Sequence, residues 1–266
     1  MQPAATQPRT SGTSDLRVSI VVPVFNSAAS LGELHSRIDA TLGSTPGVGS
    51  WELILVNDGS VDESWATIVR LSREHPEVRG MDLTGNWGQH NALLAGIHSA
   101  RKEVIVTLDD DLQNPPEEIP HLLGALEGMD LVYGVPGVSS HPVHRRIGTA
   151  GMRAVRRAVT RRHDAGLATG FRAFRSKLTE QLPESAGRHV VLRSLLKADA
   201  DRIGSVAVKH EPRRVGRSNY SLPMLVRRAF TEIATYLRLG RRNGRRGPSY
   251  EVRAVTESQA GGDEDC

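Results

Sequence analysis

The chain has 266 residues, enough to bury one sizeable core. Its single cysteine, Cys266, excludes an intramolecular disulfide and a cysteine-based metal site, which fits a reducing compartment. No apolar run approaches the roughly 18 residues of a membrane span, and the N-terminus lacks the pattern of a signal peptide. We therefore expect a cytoplasmic protein.

Charge is distributed unevenly, although the formal net charge is only +4. Residues 1–140 hold 8 Lys and Arg against 18 Asp and Glu, whereas residues 141–247 hold 25 against 7. This asymmetry indicates a cation-holding half joined to a half that faces an anion. Nucleic acid, an anionic membrane surface and a phosphorylated substrate all fit that anion. Generous use of Arg on a solvated surface would give the same excess.

Short apolar runs alternate with helical periodicity through the first 140 residues. Residues 1–16 are rich in Pro, Thr, Ser and Gln and predict a disordered leader. Buried strands are predicted at 18–22, 53–56, 78–83, 104–108 and 131–135, with three helices ending at about 42, 74 and 100. Ser30 with Glu33, and Ser60 with Glu63, have capping-box spacing and predict two of the helix starts. Such alternation predicts right-handed βαβ units and a mainly parallel, Rossmann-like sheet flanked by helices.

Polar residues follow the first, second and fourth predicted strands. They are Pro23 to Asn26, Asn57 to Ser60 and Asp109 to Gln113. Because ligands of open parallel sheets bind beyond the carboxyl ends of the strands, we expect the three stretches to line one crevice. Neither a Gly-rich dinucleotide fingerprint nor a phosphate loop ending in Gly-Lys-Ser/Thr occurs there. This excludes an ordinary NAD-binding domain and a P-loop NTPase.

Three adjacent carboxylates, Asp109 to Asp111, end the fourth strand. They repel one another, so the pattern predicts a bound cation. Hard oxygen ligands suit Mg²⁺ or Mn²⁺, which usually bridge protein carboxylates to substrate phosphates. The alternative is an acidic loop whose carboxylates are solvated, or cap the helix that Pro115 and Pro116 open.

Four stretches together resemble the inverting glycosyltransferases of family 2, which have the GT-A fold. They are Val-Val-Pro-Val-Phe-Asn at 21–26, Val-Asn-Asp-Gly-Ser at 56–60, Asn-Trp-Gly-Gln at 86–89 and Asp-Asp-Asp-Leu-Gln-Asn-Pro-Pro at 109–116. The last stretch, with residues 169–172 and 210–220, is similar to the branch that glycosylates polyprenyl phosphates. That branch contains the dolichyl-phosphate mannose synthases and the bacterial undecaprenyl-phosphate sugar transferases.

The resemblance implies a GT-A domain over residues 17–239. Its nucleotide and metal half would span 17–140, and its acceptor half 141–239. Apolar residues at helical spacing between Leu222 and Leu237, with Arg on the other side, predict a basic C-terminal helical extension. This helix either lies on an anionic membrane or packs on its own core. Residues 240–266 predict a disordered tail.

By the resemblance, Asp109 and Asp111 would bind Mg²⁺ or Mn²⁺ against the donor diphosphate, with Gln113 adding an oxygen, and Asp111 counts as catalytic. The other donor-binding residues implied are Pro23, Phe25, Asn26, Asp58, Gly88, Gln89 and Asp110. For Asp58 the alternative is an Asx turn before Gly59, and for Trp87 it is core packing. Relatives often carry an acidic residue after Asn26, where this chain has Ser27.

The basic half supplies the remaining candidates. Arg145 and Arg146 follow the fifth strand, where the resemblance implies an acceptor loop with cations for a lipid phosphate. Arg172, in the Gly-Phe-Arg motif, is expected near either phosphate, and these three arginines join the catalytic set. A late loop that closes over donor and acceptor would contribute Arg213, Arg217, Ser218 and Tyr220. Arg suits phosphate through its planar donor fork, although a solvated position is the alternative for any single Arg.

The reaction implied is metal-dependent inverting transfer of a sugar from a nucleotide sugar, with UDP favoured and GDP-mannose open, to a polyprenyl phosphate. A lipid phosphate is already an anion, whereas a hydroxyl acceptor would need a general base. No carboxylate in the sequence identifies itself as that base. We expect a cytoplasmic enzyme, either free or peripheral at the inner face of the membrane, and homo-oligomerisation stays open.

Three other functions are alternatives to this reaction. Relatives of the branch commonly continue into two membrane-spanning helices, and their replacement here by an Arg-rich stretch keeps open a small hydroxyl acceptor in specialised metabolism. A nucleotidyltransferase would need a Gly-rich loop with Arg and Lys after the first strand, where Phe25 to Ala28 stand. A nucleic-acid-binding module would leave Asp109–Asp111 unexplained, and aromatic residues are only 4% of the chain. We therefore expect no nucleic-acid partner.

Overall fold

A computed structural model of the chain describes residues 15–137, 169–180, 182–183, 192–212 and 250–256. Its strands are β1 (Leu16–Val24), β2 (Val48–Asn57), β3 (Val78–Leu83), β4 (Val104–Thr107), β5 (Leu131–Pro136), β6 (Arg172–Arg175), β7 (Ile203–Val208) and β8 (Val252–Val255). Its α-helices are α1 (Ala28–Gly43), α2 (Ser64–Glu74), α3 (Gln89–Ser99), α4 (Ile119–Ala125) and α5 (Leu192–Asp199). Short 3₁₀ turns occupy Pro116–Glu118 and Ser176–Thr179.

The strands form one mixed sheet in the order β7-β5-β6-β4-β1-β2-β3-β8. β1 to β4 are parallel to one another, and β5 is parallel to β7. β6 runs antiparallel to β4 and β5, and β8 antiparallel to β3. The predicted mainly parallel sheet with βαβ units is therefore confirmed. Since β4 and β2 flank β1, their carboxyl ends lie side by side.

Helices cover both faces of the sheet. Val18, Ile20 and Val22 belong to a core shared with α1, α2 and α4, whereas Val21 belongs to a second core with α3 and α5. A strand that is buried on both sides gains from apolar residues at every position, which is why β1 is a nearly continuous apolar run. The two cores hold the strand ends that position the site.

The capping-box predictions for α1 and α2 were wrong. α1 begins at Ala28 and α2 at Ser64. The Ser30 hydroxyl donates to the backbone oxygens of Ser27 and Asp110, and the Ser60 hydroxyl accepts from the Asn26 amide. Both hydroxyls therefore join neighbouring strand ends, and tertiary partners outweigh the local capping signal.

The prediction of a disordered tail was wrong for residues 252–255, which form β8 at the edge of the sheet. Ala254 pairs with Asp82, the Gly80 amide donates to the Thr256 hydroxyl at 2.7 Å, and the Thr256 amide donates to the Gly80 oxygen at 2.9 Å. Pairing with β8 removes the exposed edge that β3 would otherwise present.

Several other predictions lie outside the described residues. They concern the leader up to residue 14, the helix at 222–237 and the rest of the tail. β1 starts at Leu16, inside the predicted leader. No helix in the described segments is both long enough and apolar enough to cross a membrane.

Candidate functional site

Loops after β1, β2 and β4 are hydrogen-bonded to one another beyond the carboxyl ends of these strands. The Phe25 amide donates to the Asp110 carboxylate at 3.1 Å, and the Asn26 amide donates to the Ser60 hydroxyl at 3.0 Å. The side-chain oxygen of Asn26 in turn accepts from the Val61 amide at 2.9 Å. The predicted convergence of the three strand ends on one place is confirmed.

The β1 loop combines a fixed base with an exposed tip. Pro23 is buried in β1 and pairs with Val56 of β2. The Phe25 side chain is 41% exposed, and Asn26 has a φ of 54°. A non-glycine residue in this region is uncommon, and the Ser60 and Val61 contacts of Asn26 hold the turn in place. The loop therefore presents an aromatic ring and an amide on a rigid support.

The acidic triplet is half-buried, and each carboxylate has a different donor. Asp109 accepts from the Gln89 side-chain amide at 2.5 Å, Asp110 from the Phe25 amide, and Asp111 from the Gln113 amide at 3.1 Å. These donors separate three carboxylates that would otherwise repel one another.

The turn after the triplet is strained. Leu112 is 3% exposed and has a φ of 57°. A bulky residue in this conformation costs about 1–3 kcal/mol, which burial of its side chain offsets here. The turn sets the direction of Asp111 relative to Gln113.

A glycine from a distant segment packs against Asp109. A Cβ at Gly170 would lie 2.7 Å from both carboxylate oxygens of Asp109, closer than real contacts allow. The Thr107 hydroxyl donates to the Gly170 oxygen at 2.5 Å and fixes this approach. The Thr-Gly-Phe-Arg stretch therefore reaches the acidic triplet through its glycine.

Asp58 holds the 86–89 loop in place. Its carboxylate accepts the amides of Trp87 at 2.7 Å and Gly88 at 2.9 Å. Burial raises the pKa of the Asp58 carboxyl to about 6, against the lowering effect of these two bonds. Gly88 has a φ of 87°, a conformation that favours glycine, and α3 starts directly after it.

The Asx-type contact considered for Asp58 is made by its neighbour, Asn57. Its side-chain oxygen accepts from the Ser60 amide at 3.2 Å, and its side-chain nitrogen donates to Asp82 at 2.7 Å. Trp87 packs partly on the apolar core, which agrees with the core-packing alternative for that residue. Its indole nitrogen is buried without a hydrogen-bond acceptor among the described residues.

Arg172 is a buried cation beneath the acidic triplet. It is 3% exposed, and its Nε donates to the Thr107 hydroxyl at 3.1 Å. Burial lowers the pKa of the Arg172 guanidinium, while the nearby charge of Asp109 opposes that shift. Its Nη1 is buried without an acceptor in the described part of the chain. Arg172 is thus next to a metal-candidate carboxylate, and its contact with a phosphate stays a prediction.

Sequence reasoning missed three residues around Arg172. Tyr133 of β5 is fully buried, with the Arg172 guanidinium carbon 6.0 Å and the Lys197 ammonium 5.5 Å from its ring centroid. Arg193 and Lys197 of α5 are 5% and 8% exposed. Their spacing of four residues, each directly after a leucine, was the available signal, because it places two cations on one side of a helix.

The segment after β7 returns to the acidic triplet. The Glu211 amide donates to the Gln113 oxygen at 2.8 Å, and His210 Nδ1 lies 3.3 Å from the Asn114 side-chain oxygen. Arg213, Arg217, Ser218 and Tyr220 follow this segment and lie outside the described residues, as do Arg145 and Arg146. Their site roles stay predictions.

The sequence profile described as Glycosyl transferase family 2 matches residues 19–182. The chain therefore belongs to glycosyltransferase family 2. Among its relatives are the undecaprenyl-phosphate 4-deoxy-4-formamido-L-arabinose transferases of Shewanella sediminis, 36% identical over 217 residues, and of Edwardsiella ictaluri, 34% identical over 213 residues. These alignments cover 80% and 79% of this chain and 64% of each relative, so the chain spans less than two thirds of their length.

Solved structures of glucosyl-3-phosphoglycerate synthase from Mycobacterium tuberculosis share the fold. One complex, with Mn²⁺, UDP-glucose and phosphoglyceric acid, has a TM-score of 0.62 at 19% identity and covers 97% of this chain and 95% of that one. Another, with Mn²⁺, UDP and phosphoglyceric acid, has a TM-score of 0.60 at 21% identity, covering 84% and 78%. The predicted GT-A fold is confirmed.

Gly170→Ala tests the close approach to Asp109. The new methyl group would push the Asp109 carboxylate from its position, so we expect Mn²⁺-dependent nucleotide binding, measured by calorimetry, to weaken by about tenfold or more. Gly124→Ala is the matched control, because a Cβ at that exposed helical position meets no atom within 4 Å. Equal affinity in the Gly170 and Gly124 variants would contradict the role of Gly170.

The raised pKa of Asp58 predicts that the stability of the folded chain depends on pH. In the unfolded chain the pKa of this carboxyl is about 3.9. Its raised pKa in the folded state therefore favours folding at low pH, and this contribution is lost as pH rises through about 6. Between about pH 5 and pH 7.5 the wild type should lose about 1 kcal/mol of unfolding free energy that Asp58→Asn keeps. Urea unfolding at both pH values measures this difference.

The control for this experiment is Asp39→Asn, which removes an exposed carboxylate from α1. Its unfolding free energy should change with pH as that of the wild type does. If the unfolding free energy of the Asp58 variant also changes in this way, the raised pKa of Asp58 is refuted.

Proposed function

We propose that the chain transfers one sugar, with inversion at the anomeric carbon, from a nucleotide sugar to a polyprenyl phosphate. The observation that carries the proposal is the meeting of Asp109 and Asp111 with the β1 loop and the 86–89 loop at one sheet edge. The names of the relatives, which are undecaprenyl-phosphate sugar transferases, support the acceptor class.

The acidic triplet fits a divalent metal. Asp109 and Asp111 are half-buried and two residues apart, and Gln113 follows in the same turn. This donor set consists of oxygens alone, which suits Mg²⁺ or Mn²⁺. The neighbour with the same fold was solved with Mn²⁺. A bound ion would neutralise the charge that builds on the departing nucleoside diphosphate.

The donor pocket would be formed by the β1 loop on one side and the 86–89 loop on the other. Phe25 and Asn26 offer an exposed ring and a fixed amide to the nucleoside, above the buried Pro23. Gly88 and Gln89 would lie beside the sugar and diphosphate. We propose that Asp58 acts through the loop, since both Trp87 and Gly88 donate to its carboxylate. UDP is the favoured nucleotide, as in the solved neighbours with this fold.

The charge around Arg172 supports a phosphate acceptor. Arg172 and Lys197 lie against the ring of Tyr133, and Arg193 lies near Arg172. Together they bring positive charge to the side of the triplet away from the β1 loop. A phosphate acceptor arrives as an anion and needs positioning more than a base. We assign Arg172 a positioning role, because its Nε and the Gly170 oxygen share the Thr107 hydroxyl. Arg145, Arg146, Arg213 and Arg217 are the proposed direct contacts, with Ser218 and Tyr220 beside them.

We place the enzyme at the inner face of the membrane, where a polyprenyl phosphate is available. The acceptor would then present its phosphate to the crevice while its chain stays in the lipid.

An assay of sugar transfer distinguishes a phosphate acceptor from a hydroxyl acceptor. Purified chain with Mn²⁺ and a panel of labelled UDP-sugars should label undecaprenyl phosphate in detergent and leave undecaprenol unlabelled, because only the phosphate attacks without a base. Arg172→Met should lower the turnover with the phosphate acceptor by about tenfold or more. Thin-layer chromatography of the lipid product measures both. Transfer to undecaprenol or a small alcohol at an equal rate would favour the hydroxyl-acceptor reaction instead.

A further inference from the structure

A second group of metal-ligating side chains lies between α1, α2 and the start of β3. It consists of His35, His75 and Glu77, each with one ligand atom within 4.8 Å of the others. His35 Nε2 lies 2.9 Å and His75 Nδ1 lies 3.8 Å from the same Glu77 oxygen, Oε1. The centroids of the two imidazole rings lie 3.9 Å apart, with the ring planes tilted by 36°.

This group is separate from the acidic triplet. β3 is parallel to β1 and β4, and Glu77 directly precedes β3, whereas Asp109 to Asp111 follow β4. Glu77 therefore lies at the amino end of the sheet, and the triplet lies at the carboxyl end. An ion bound by one group would not contact the other.

The backbone around the group is fixed by secondary structure. The His75 amide donates to the Leu71 oxygen at 2.9 Å, and the His75 oxygen accepts from the Val78 amide at 3.0 Å. The Glu77 oxygen accepts from the Leu53 amide at 2.9 Å, and Pro76 between the two ligands restricts the turn further. His35 is 3% exposed on the buried side of α1. Little ordering would be required on binding.

A hydrogen bond accounts for the contact between His35 and Glu77 at 2.9 Å, but not for the contact between His75 and Glu77. A contact of 3.8 Å is too long for the His75 nitrogen to bond Glu77 directly. Around a tetrahedral zinc with bonds of about 2.0–2.1 Å, neighbouring ligand atoms lie about 3.3 Å apart, between the two observed distances. Glu77 and His75 have side chains 22% and 37% exposed, which gives an ion access from solvent.

We propose that His35, His75 and Glu77 form a second metal site, for a borderline transition-metal dication and for zinc above all. Two imidazoles and one carboxylate are a ligand set typical of zinc, with water in the fourth position. Mg²⁺ and Mn²⁺ prefer oxygen-rich sites such as the acidic triplet. The ion would clamp the α2–β3 turn to α1, and would stabilise the fold because the unfolded chain does not bring the three ligands together.

Zinc titration tests the site on the full chain. Chelator-treated protein is titrated with zinc by calorimetry in excess Mg²⁺, which competes for the oxygen-rich triplet. We expect one zinc per chain for the wild type and for Asp111→Asn. His75→Ala and Glu77→Gln should bind it about a hundredfold more weakly, and lose the zinc-dependent rise in Tm.

The matched control is His98→Ala, which removes an exposed histidine of α3 that lies near Pro183. It should bind zinc as the wild type does. His75 is mutated in preference to His35 because it is partly exposed, and circular dichroism without metal checks that each variant folds. Wild-type affinity in His75→Ala, or no stoichiometric binding by the wild type, overturns the proposal. Loss of the zinc in Asp111→Asn overturns it as well, because the ion would then lie in the triplet.

Discussion

The three carboxylates at the carboxyl end of β4 repel one another, so they must be held apart before they can bind a ligand. Each carboxylate of the 109–111 triplet has its own donor, from Gln89, Phe25 or Gln113. Hydrogen bonds to a charged group contribute about 1.5–3 kcal/mol each, more than those between neutral groups. The donors come from α3, from the β1 loop and from the triplet's own turn, so the arrangement depends on the whole sheet being in place.

The apolar core supplies that support. β1, β2 and β4 are buried on both faces, and their parallel register aligns their ends at one level. The strained positions are at the same edge. Asn26 and Leu112 both have positive φ, and each is held by tertiary contacts or burial. Strain of this kind persists only where the surroundings fix it, and here it places polar atoms around one crevice.

Much of this arrangement was predictable from the sequence. The run at 78–83 predicted β3 with its observed bounds, and the polar residues after three strands predicted a common crevice because parallel strands end at the same edge. The capping-box predictions were wrong because the hydroxyls of Ser30 and Ser60 form hydrogen bonds with Asp110 and Asn26, outside the predicted helices. β8 was not predicted, because a four-residue strand at a sheet edge has too little periodicity to be recognised in the sequence.

Contacts between distant segments left no local signal. Thr107 and Arg172 are 65 positions apart, and their hydrogen bond forms only when β6 inserts antiparallel beside β4. The burial of Tyr133 between two cations depends in addition on α5, an eight-residue helix. Motif resemblance marked Gly170 and Arg172 as part of the site, but only the packing shows that the glycine touches Asp109 and that the arginine lies beneath it.

The most direct test of the proposed function is whether the metal-dependent binding of a nucleotide requires the triplet. Calorimetric titration of UDP and GDP, with and without Mn²⁺, would be compared for wild type, Asp111→Asn and the exposed-site control Asp39→Asn. We expect Mn²⁺-dependent binding of UDP that Asp39→Asn keeps and that Asp111→Asn weakens by about a hundredfold. Binding that is indifferent to Mn²⁺, or unchanged in Asp111→Asn, would contradict the assignment of the triplet to the donor and its metal.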